Sequence, residues 1–149
     1  MKKLLILCFI IFLSACSQTT YIYQRDMWAV RADRRDKSNE SGIVVLRSYD
    51  EYLNYINEVV NHLDFERLNE TFFDDYYLIF IHFVYGHGHP LSGYSIEDIS
   101  LKNRKLSITI SYPYASLIGP FTTNIITVGI LIKIEPYDID SLSYTIISR

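Results

Sequence analysis

The sequence predicts an α+β fold in which one N-terminal amphipathic helix packs on a mostly antiparallel sheet of about five strands. Helical periodicity occurs once, after residue 48, and strand patterns follow it to the end of the chain. Only the connection from the strand at 43–47 to the strand at 76–85 is long enough for a crossover, which favours a mostly antiparallel sheet over a doubly wound parallel one. The chain has 149 residues, 49% of them hydrophobic, which predicts a single domain with its own core at residues 42–149.

Residues 1–15 have the pattern of a signal peptide. Lys2 and Lys3 form a basic start, an apolar run covers 4–13, and a small-residue junction follows at 14–15. The apolar run is too short for a helix that crosses a bilayer, which needs about 20 residues. We therefore expect this segment to be removed from the mature protein.

The four residues Leu-Ser-Ala-Cys at 13–16 resemble the lipobox of bacterial lipoproteins. In that family the signal peptide is cut before the cysteine, and the cysteine thiol is acylated. The resemblance implies a lipid on Cys16, an anchor in the cell membrane or outer membrane, and a protein on the extracytoplasmic side. The alternatives are a signal peptide without lipid and a buried N-terminal strand.

The thiols and the net charge exclude several classes of function. Cys8 lies in the signal peptide and Cys16 is predicted to carry lipid, so no thiol is left for a disulfide, a metal or a nucleophile. Loss of Lys2 and Lys3 lowers the formal charge from −3 to −5. A negative chain is unsuited to nucleic acid, and it does not favour a domain lying flat on anionic lipid.

Residues 16–41 are polar and carry a mixed-charge run at 31–37, which predicts a tether between the lipidated cysteine and the domain. Within this segment, Met27, Trp28 and Val30 suggest a short first strand. For Trp28 we favour packing of the tether onto the domain over a role as an anchor for a partner.

A strand at 43–47 precedes the predicted helix. Ser48 and Glu51 have capping-box spacing, so the helix should begin after Ser48. Its apolar stripe contains Tyr49, Tyr52, Leu53, Ile56, Val59, Val60 and Leu63. The opposite face carries Asp, Glu and Asn in place of the Lys and Arg of a membrane-binding helix, so the stripe should face the core.

Residues 76–85 are mostly apolar at both odd and even positions, which predicts the central strand, covered on both faces. His82 lies on this strand and should be buried or at an edge, satisfied by a hydrogen bond. A hairpin follows at 94–111, with a polar turn at 102–105 and a β-bulge near Glu97 and Asp98, where the alternation breaks.

Residues 124–134 predict a second strong strand, and Gly129 within it suggests a bulge or a close approach of another backbone. Leu142, Tyr144 and Ile146 alternate with other residues, which indicates a last strand at an edge of the sheet.

Part of the chain, from about Tyr76 to Ile134, resembles two groups of exported bacterial proteins. The run at 72–79, the hairpin turn at 102–106 and the late Ile-rich strand look like small uncharacterised lipoproteins. Residues 92–96, Ser-Gly-Tyr-Ser-Ile, are similar to the Gly-Gly-Tyr motif of the PrcB-like protease-complex accessory domain, although Ser92 replaces the first glycine. The resemblance implies a non-enzymatic domain that binds or assists another protein outside the cytoplasm.

The partner-binding residues that we predict lie in and around two loops. Gly93 and Tyr94 carry the accessory-domain resemblance, while Tyr112, Tyr114 and Phe121 flank the prolines of an aromatic loop. The alternative for Gly93 is a turn glycine, and for Tyr94 a core aromatic at the start of a strand.

The sequence contains no motif that identifies a reaction, so we predict a protein that is not an enzyme and has no cofactor. His87 and His89 form a His-x-His pair that suggests, as an alternative, a metal-binding lipoprotein or a metal-dependent enzyme. A lipoprotein with a purely structural role is a third possibility.

Overall fold

The structure is a computed structural model, which describes residues 19–22, 26–34, 41–86, 93–112 and 125–148. Its strands are β1 (Thr20–Tyr21), β2 (Asp26–Arg34), β3 (Gly42–Leu46), β4 (Val60–Leu63), β5 (Tyr77–Gly86), β6 (Ser95–Lys102), β7 (Lys105–Tyr112), β8 (Ile125–Ile134) and β9 (Ser141–Ser148). Its helices are α1 (Tyr49–Glu58), between β3 and β4, and the four-residue α2 (Phe72–Asp75), before β5.

The strands form two sheets. The five-stranded sheet has the order β3-β5-β8-β2-β4 and is antiparallel throughout, while the four-stranded sheet has the order β1-β6-β7-β9, in which β9 runs parallel to β7. The predicted α+β fold, with one helix on a single sheet, is therefore wrong, because the chain is mostly β and has two sheets. Alternation shows that one face of a strand is buried, but it does not show which sheet the strand joins.

Two apolar layers cover the five-stranded sheet, one on each face. The sandwich core lies between the two sheets and contains Ile22, Val45, Ile79, Ile81, Tyr94, Ile99, Leu106, Ile108, Ile110, Val128, Ile130, Ile132, Ile134 and Ile139. The helix-side core lies under α1 and contains Val30, Ala32, Leu46, Tyr52, Ile56, Val60, Leu78, Phe80 and Leu131. The molecule therefore has three layers, with the five-stranded sheet in the middle.

Strand β5 lies inside the five-stranded sheet, between β3 and β8. Leu78 and Phe80 belong to the helix-side core, whereas Ile79 and Ile81 belong to the sandwich core, and all four are fully buried. The prediction that this strand is covered on both faces is confirmed, but the middle strand of the sheet is β8 and not β5.

Helix α1 begins where the capping box places it and ends earlier than its apolar stripe suggests. The Ser48 hydroxyl accepts a hydrogen bond from the Glu51 N–H at 3.2 Å, and the Glu51 carboxylate accepts one from the Arg47 N–H at 2.7 Å. The helix stops at Glu58, and residues 60–63 form β4, which pairs with β2. The predicted helix over Val60 and Leu63 is wrong, because β2 offers a partner strand to this segment, which begins with the β-branched Val60.

Strand β2 continues through residues for which the sequence predicted a tether. It pairs with β8 on one side and β4 on the other, and Val30 and Ala32 are buried in the helix-side core. Residues 26–34 of the segment 16–41 therefore belong to the folded domain. The Trp28 ring packs on Phe65 with the ring centroids 5.3 Å apart, which confirms the packing interpretation of Trp28.

The β6–β7 hairpin and its irregularities follow the sequence closely. The register shifts between Ile96 and Asp98, so the predicted bulge is confirmed. Asn103 and Arg104 form the turn with φ angles of 51° and 61°, the left-handed conformation that a two-residue hairpin turn requires.

Candidate functional site

The open end of the β6–β7 hairpin contains three residues for which the sequence predicted partner contacts. Gly93 lies just before β6, Tyr94 is only 6% exposed and belongs to the sandwich core, and Tyr112 is half-buried at the end of β7. The Tyr94 and Tyr112 rings have centroids 6.2 Å apart. Burial, with a smaller effect from Tyr112, raises the pKa of Tyr94 to about 12, so this phenol stays neutral over the physiological range.

The structure brings Tyr94 and Tyr112 together, but it buries the ring of Tyr94 and does not present it to a partner. That placement matches the alternative of a core aromatic at the start of a strand. The other predicted residues, Tyr114 and Phe121 of the aromatic loop, lie outside the described residues.

The predicted lipidation site Cys16 and the candidate metal ligands His87 and His89 also lie outside the described residues. Within the described part of the chain, no three His, Cys, Asp or Glu side chains are close enough together to hold a metal ion. Over the same residues, no helix has the length and apolar character that crossing a membrane requires.

A polar cluster lies at the bulge of β6. The Ser95 and Ser111 hydroxyls are 2.7 Å apart, and both donate to Oε1 of Glu97, Ser95 at 3.3 Å and Ser111 at a shorter distance. Ser111 is 3% exposed. The two hydroxyls satisfy a half-buried carboxylate that the bulge places on the sheet, so we assign the cluster a structural role.

His82 is fully buried on β5, as the sequence predicted. The Tyr55 hydroxyl of α1 lies 2.9 Å from its Nδ1, and the two rings stack with centroids 5.9 Å apart. Tyr55 therefore ties the helix to the middle sheet, and the hydrogen bond expected for a buried histidine is confirmed.

A groove runs between the edge strand β3 and helix α1, and we call it the β3–α1 groove. It has a volume of about 410 Å³ and is lined by residues 44–47 on the strand side. On the helix side its lining residues are Glu51, Asn54, Tyr55, Glu58 and Val59. Tyr55 and Val59 are half-buried, whereas Glu51, Asn54 and Glu58 are exposed. The groove thus has an apolar floor and a polar, acidic rim.

The segment that contains the helices is strongly acidic. Residues 47–76 include eight acidic and two basic residues, a formal charge of −6, whereas the whole chain has −3. The first turn of α1 contributes Asp50 and Glu51, and its last turn has no basic residue. This side of the molecule therefore attracts cationic groups.

Two smaller hollows also lie on the helix side. One of about 240 Å³ lies between the end of α1 and residues 62–67, and one of about 200 Å³ lies between the start of α1 and α2. The β3–α1 groove is larger than either and follows the edge strand of a sheet, so it can offer backbone hydrogen bonds as well as side chains. We identify it as the candidate functional site.

Sequence reasoning missed this groove, although two of its signals are in the sequence. The strand of Gly42–Leu46 has no charged residue, and the exposed face of α1 is acidic. The missing information was that β3 is an edge strand with α1 beside it, which follows from the sheet order and not from any local pattern.

No family model, curated protein or solved structure matches this chain.

Proposed function

We propose that this chain is a membrane-anchored lipoprotein on the extracytoplasmic side, held by lipid on Cys16, whose folded domain is not an enzyme and binds another envelope protein. The observation that carries the binding function is the β3–α1 groove, where an uncharged edge strand lies beside an apolar floor with an acidic rim. Exposed strand edges next to a side-chain groove are a recurrent means of binding extended protein segments.

The lipid anchor is tested by metabolic labelling. The full chain, expressed in a bacterium fed an alkyne analogue of palmitate, should take up the label and sediment with membranes. Cys16→Ser should take up no label and should no longer sediment with membranes. Cys8→Ser, which changes the cysteine that lies within the predicted signal peptide, should keep the label and the sedimentation with membranes. Label on the Cys16→Ser variant, or none on the wild type, would contradict the anchor.

The binding function is tested by photo-crosslinking in the native envelope. A photoreactive amino acid at Asn54, in the groove, should form a discrete protein adduct, and Val44→Glu in the same chain should abolish it. The matched control is the same photoreactive residue at Thr145, which is exposed on β9 of the other sheet. An adduct that survives Val44→Glu, or one that forms only from Thr145, places binding elsewhere and overturns the groove as the site.

The aromatic loop can be examined in the same experiment. Tyr114→Ala and Phe121→Ala should weaken the adduct if the predicted contacts of Tyr114 and Phe121 belong to the same interface. An unchanged adduct would confine the interface to the groove.

A further inference from the structure

Strand β3 offers a free edge beside the groove. It is the outermost strand of its sheet, and in the described part of the chain it pairs only with β5. Edge strands commonly avoid pairing with other chains by means of charges or proline, and Gly42–Leu46 has neither. No strand among residues 19–22, 26–34, 41–86, 93–112 and 125–148 pairs with the backbone groups of β3 that point away from β5, and these groups suit an additional strand.

Helix α1 determines which side chains such a strand should carry. Successive side chains of a strand point to opposite faces, so every second residue of the added strand would face α1. Tyr55 and Val59 give that wall an apolar surface, and Glu58 is exposed at its rim. A Lys or Arg side chain fits this arrangement, because its aliphatic stem can lie on the apolar surface while its charged end reaches the carboxylate.

The negative charge around the groove also favours a segment that carries Lys or Arg. One oxygen of Glu51 accepts from the Arg47 N–H, and no ion pair of Glu58 is present among the described residues. The field of residues 47–76, with a formal charge of −6, extends beyond the rim and raises the association rate of a cationic segment.

We propose that the β3–α1 groove binds an extended segment rich in Lys or Arg, which pairs with the free edge of β3 as a sixth strand. This inference rests on the proposed protein-binding function and names the chemistry of the bound segment. The strand supplies backbone hydrogen bonds that are independent of sequence, and the acidic helix selects basic side chains at alternate positions.

The experiment uses the whole folded domain and three synthetic peptides of six residues with blocked ends. The first alternates lysine with valine, and the second alternates glutamate with valine. The third is the lysine–valine peptide with a proline in place of one central residue, which prevents it from pairing as a strand. Fluorescence anisotropy should show binding of the lysine peptide alone, weakening as salt rises. Hydrogen exchange should show new protection of amides in β3 and none in β9, an uncharged edge strand of the other sheet.

Matched charge reversals separate a local contact from the general field. Glu58→Lys changes the groove, whereas Glu66→Lys makes the same change of charge at another exposed residue of the acidic segment. We expect Glu58→Lys to raise the Kd of the lysine peptide about tenfold, because an exposed attraction becomes a repulsion, and Glu66→Lys to raise it less than twofold.

Backbone methylation tests the strand pairing itself. In a strand, alternate N–H groups point to the same edge, so one peptide methylated at its lysine nitrogens and one methylated at its valine nitrogens block opposite edges. One of the two should lose binding and the other should keep it. Equal binding of both methylated peptides would exclude strand addition.

Several results would overturn the proposal: equal binding of the lysine and glutamate peptides, equal effects of Glu58→Lys and Glu66→Lys, or protection confined to β9. Failure of all the peptides, together with a Val44-dependent adduct from Asn54, would reject the basic extended segment and retain the protein-binding function. Failure of both experiments would reject both proposals.

Discussion

The sandwich core and the helix-side core cover opposite faces of the same sheet, and they differ in composition and in surface. The buried residues of the sandwich core are aliphatic apart from Tyr94, and most of them come from the two sheets. Half-buried tyrosines lie only at its border. The helix-side core is rich in aromatic rings, and rings from the loop and α2 pack against it, among them Phe65, Phe72 and Phe73. Aliphatic, β-branched side chains fill the regular space between sheets, while larger rings fill the irregular space under a short helix.

This difference indicates a division of labour. The β3–α1 groove and the two smaller hollows lie on the helix side, where a ten-residue helix covers only part of the sheet, and the same side has the acidic segment. We expect the sandwich core to supply most of the stability, while the helix layer contains the groove that we propose as the binding surface. The predictions below test that expectation.

The largest expected loss of stability comes from truncating an isoleucine side chain in the middle of the sandwich core. Ile130 is fully buried there, whereas Ile56 of α1 is 8% exposed in the helix-side core. Ile130→Ala should lower the free energy of unfolding by about 4 kcal/mol and Ile56→Ala by about 2 kcal/mol, because the helix can shift to close part of its cavity. Urea denaturation of both variants measures the difference, and an equal or larger loss for Ile56→Ala would refute the division of labour.

Gly129 tests how tightly the helix-side core is packed at its centre. A Cβ atom at Gly129 would lie 2.8 Å from Cβ of Ala32 and 3.1 Å from the Phe80 ring. Gly129→Ala should therefore destabilise the protein by about 2 kcal/mol through overpacking. Ala32→Gly in the same chain should recover part of that loss, and a double-mutant cycle by urea denaturation shows whether the two changes are coupled. Simple additivity would show that the close contact is not the cause.

Tyr55 tests the hydrogen bond that joins the helix layer to the middle sheet. Tyr55→Phe removes the hydroxyl 2.9 Å from Nδ1 of His82 and should lower the free energy of unfolding by about 1 kcal/mol. In a His82→Leu background the same change should have little effect, since the partner nitrogen is gone. A loss of equal size in both backgrounds would show that the ring environment, and not the hydrogen bond, is responsible.

Local pattern was sufficient where a residue's neighbours in sequence determine its structure. The start of α1 at Ser48, the bulge after Ile96 and the buried strand β5 were all predicted correctly. Each depends on short-range chemistry: a capping hydroxyl, a break in the alternation of apolar and polar residues, and apolar residues at both odd and even positions of a strand.

The errors have a common physical origin in long-range pairing. Val60 continues the apolar stripe of α1 but joins β4, because β2 offers a ladder of hydrogen bonds. Arg31 carries a charge that suggested a tether, yet it lies in β2 opposite Val128 of β8. The β3–α1 groove depends on the same kind of information, since no residue in Gly42–Leu46 shows that its strand will be at an edge.

The buried phenol of Tyr94 gives the sandwich core a dependence on pH. Burial raises its pKa to about 12, whereas an unfolded tyrosine titrates near 10. The neutral phenol therefore contributes its full stability below pH 10, and that contribution is lost as the pH rises from 10 to 12. Between pH 9 and pH 11 the wild type should lose about 1 kcal/mol more than Tyr94→Phe, measured by urea denaturation at each pH. Parallel curves for the two proteins would contradict the shift.

The smallest expected effect lies at the exposed turn of the four-stranded sheet, where two weak terms oppose each other. Arg104 has a φ of 61°, which favours glycine, but its guanidinium lies 2.7 Å from Asp138 and 2.8 Å from Asp140. Arg104 is 54% exposed, so these ion pairs contribute little, while relief of the left-handed strain contributes about 1 kcal/mol. Arg104→Gly should therefore raise the free energy of unfolding by about 0.5 kcal/mol, and it retains the backbone carbonyl that accepts from the Asp140 N–H.

Arg104→Ala is the matched control for that turn, because it loses the same ion pairs and keeps the strain. It should be about 1 kcal/mol less stable than Arg104→Gly in urea denaturation. If the alanine variant is as stable as the glycine variant, the left-handed φ at residue 104 has no measurable cost. The change in the free energy of unfolding would then come from the lost ion pairs. Neither change should alter the binding of the lysine peptide, because the turn lies in the four-stranded sheet and the groove lies on the helix side.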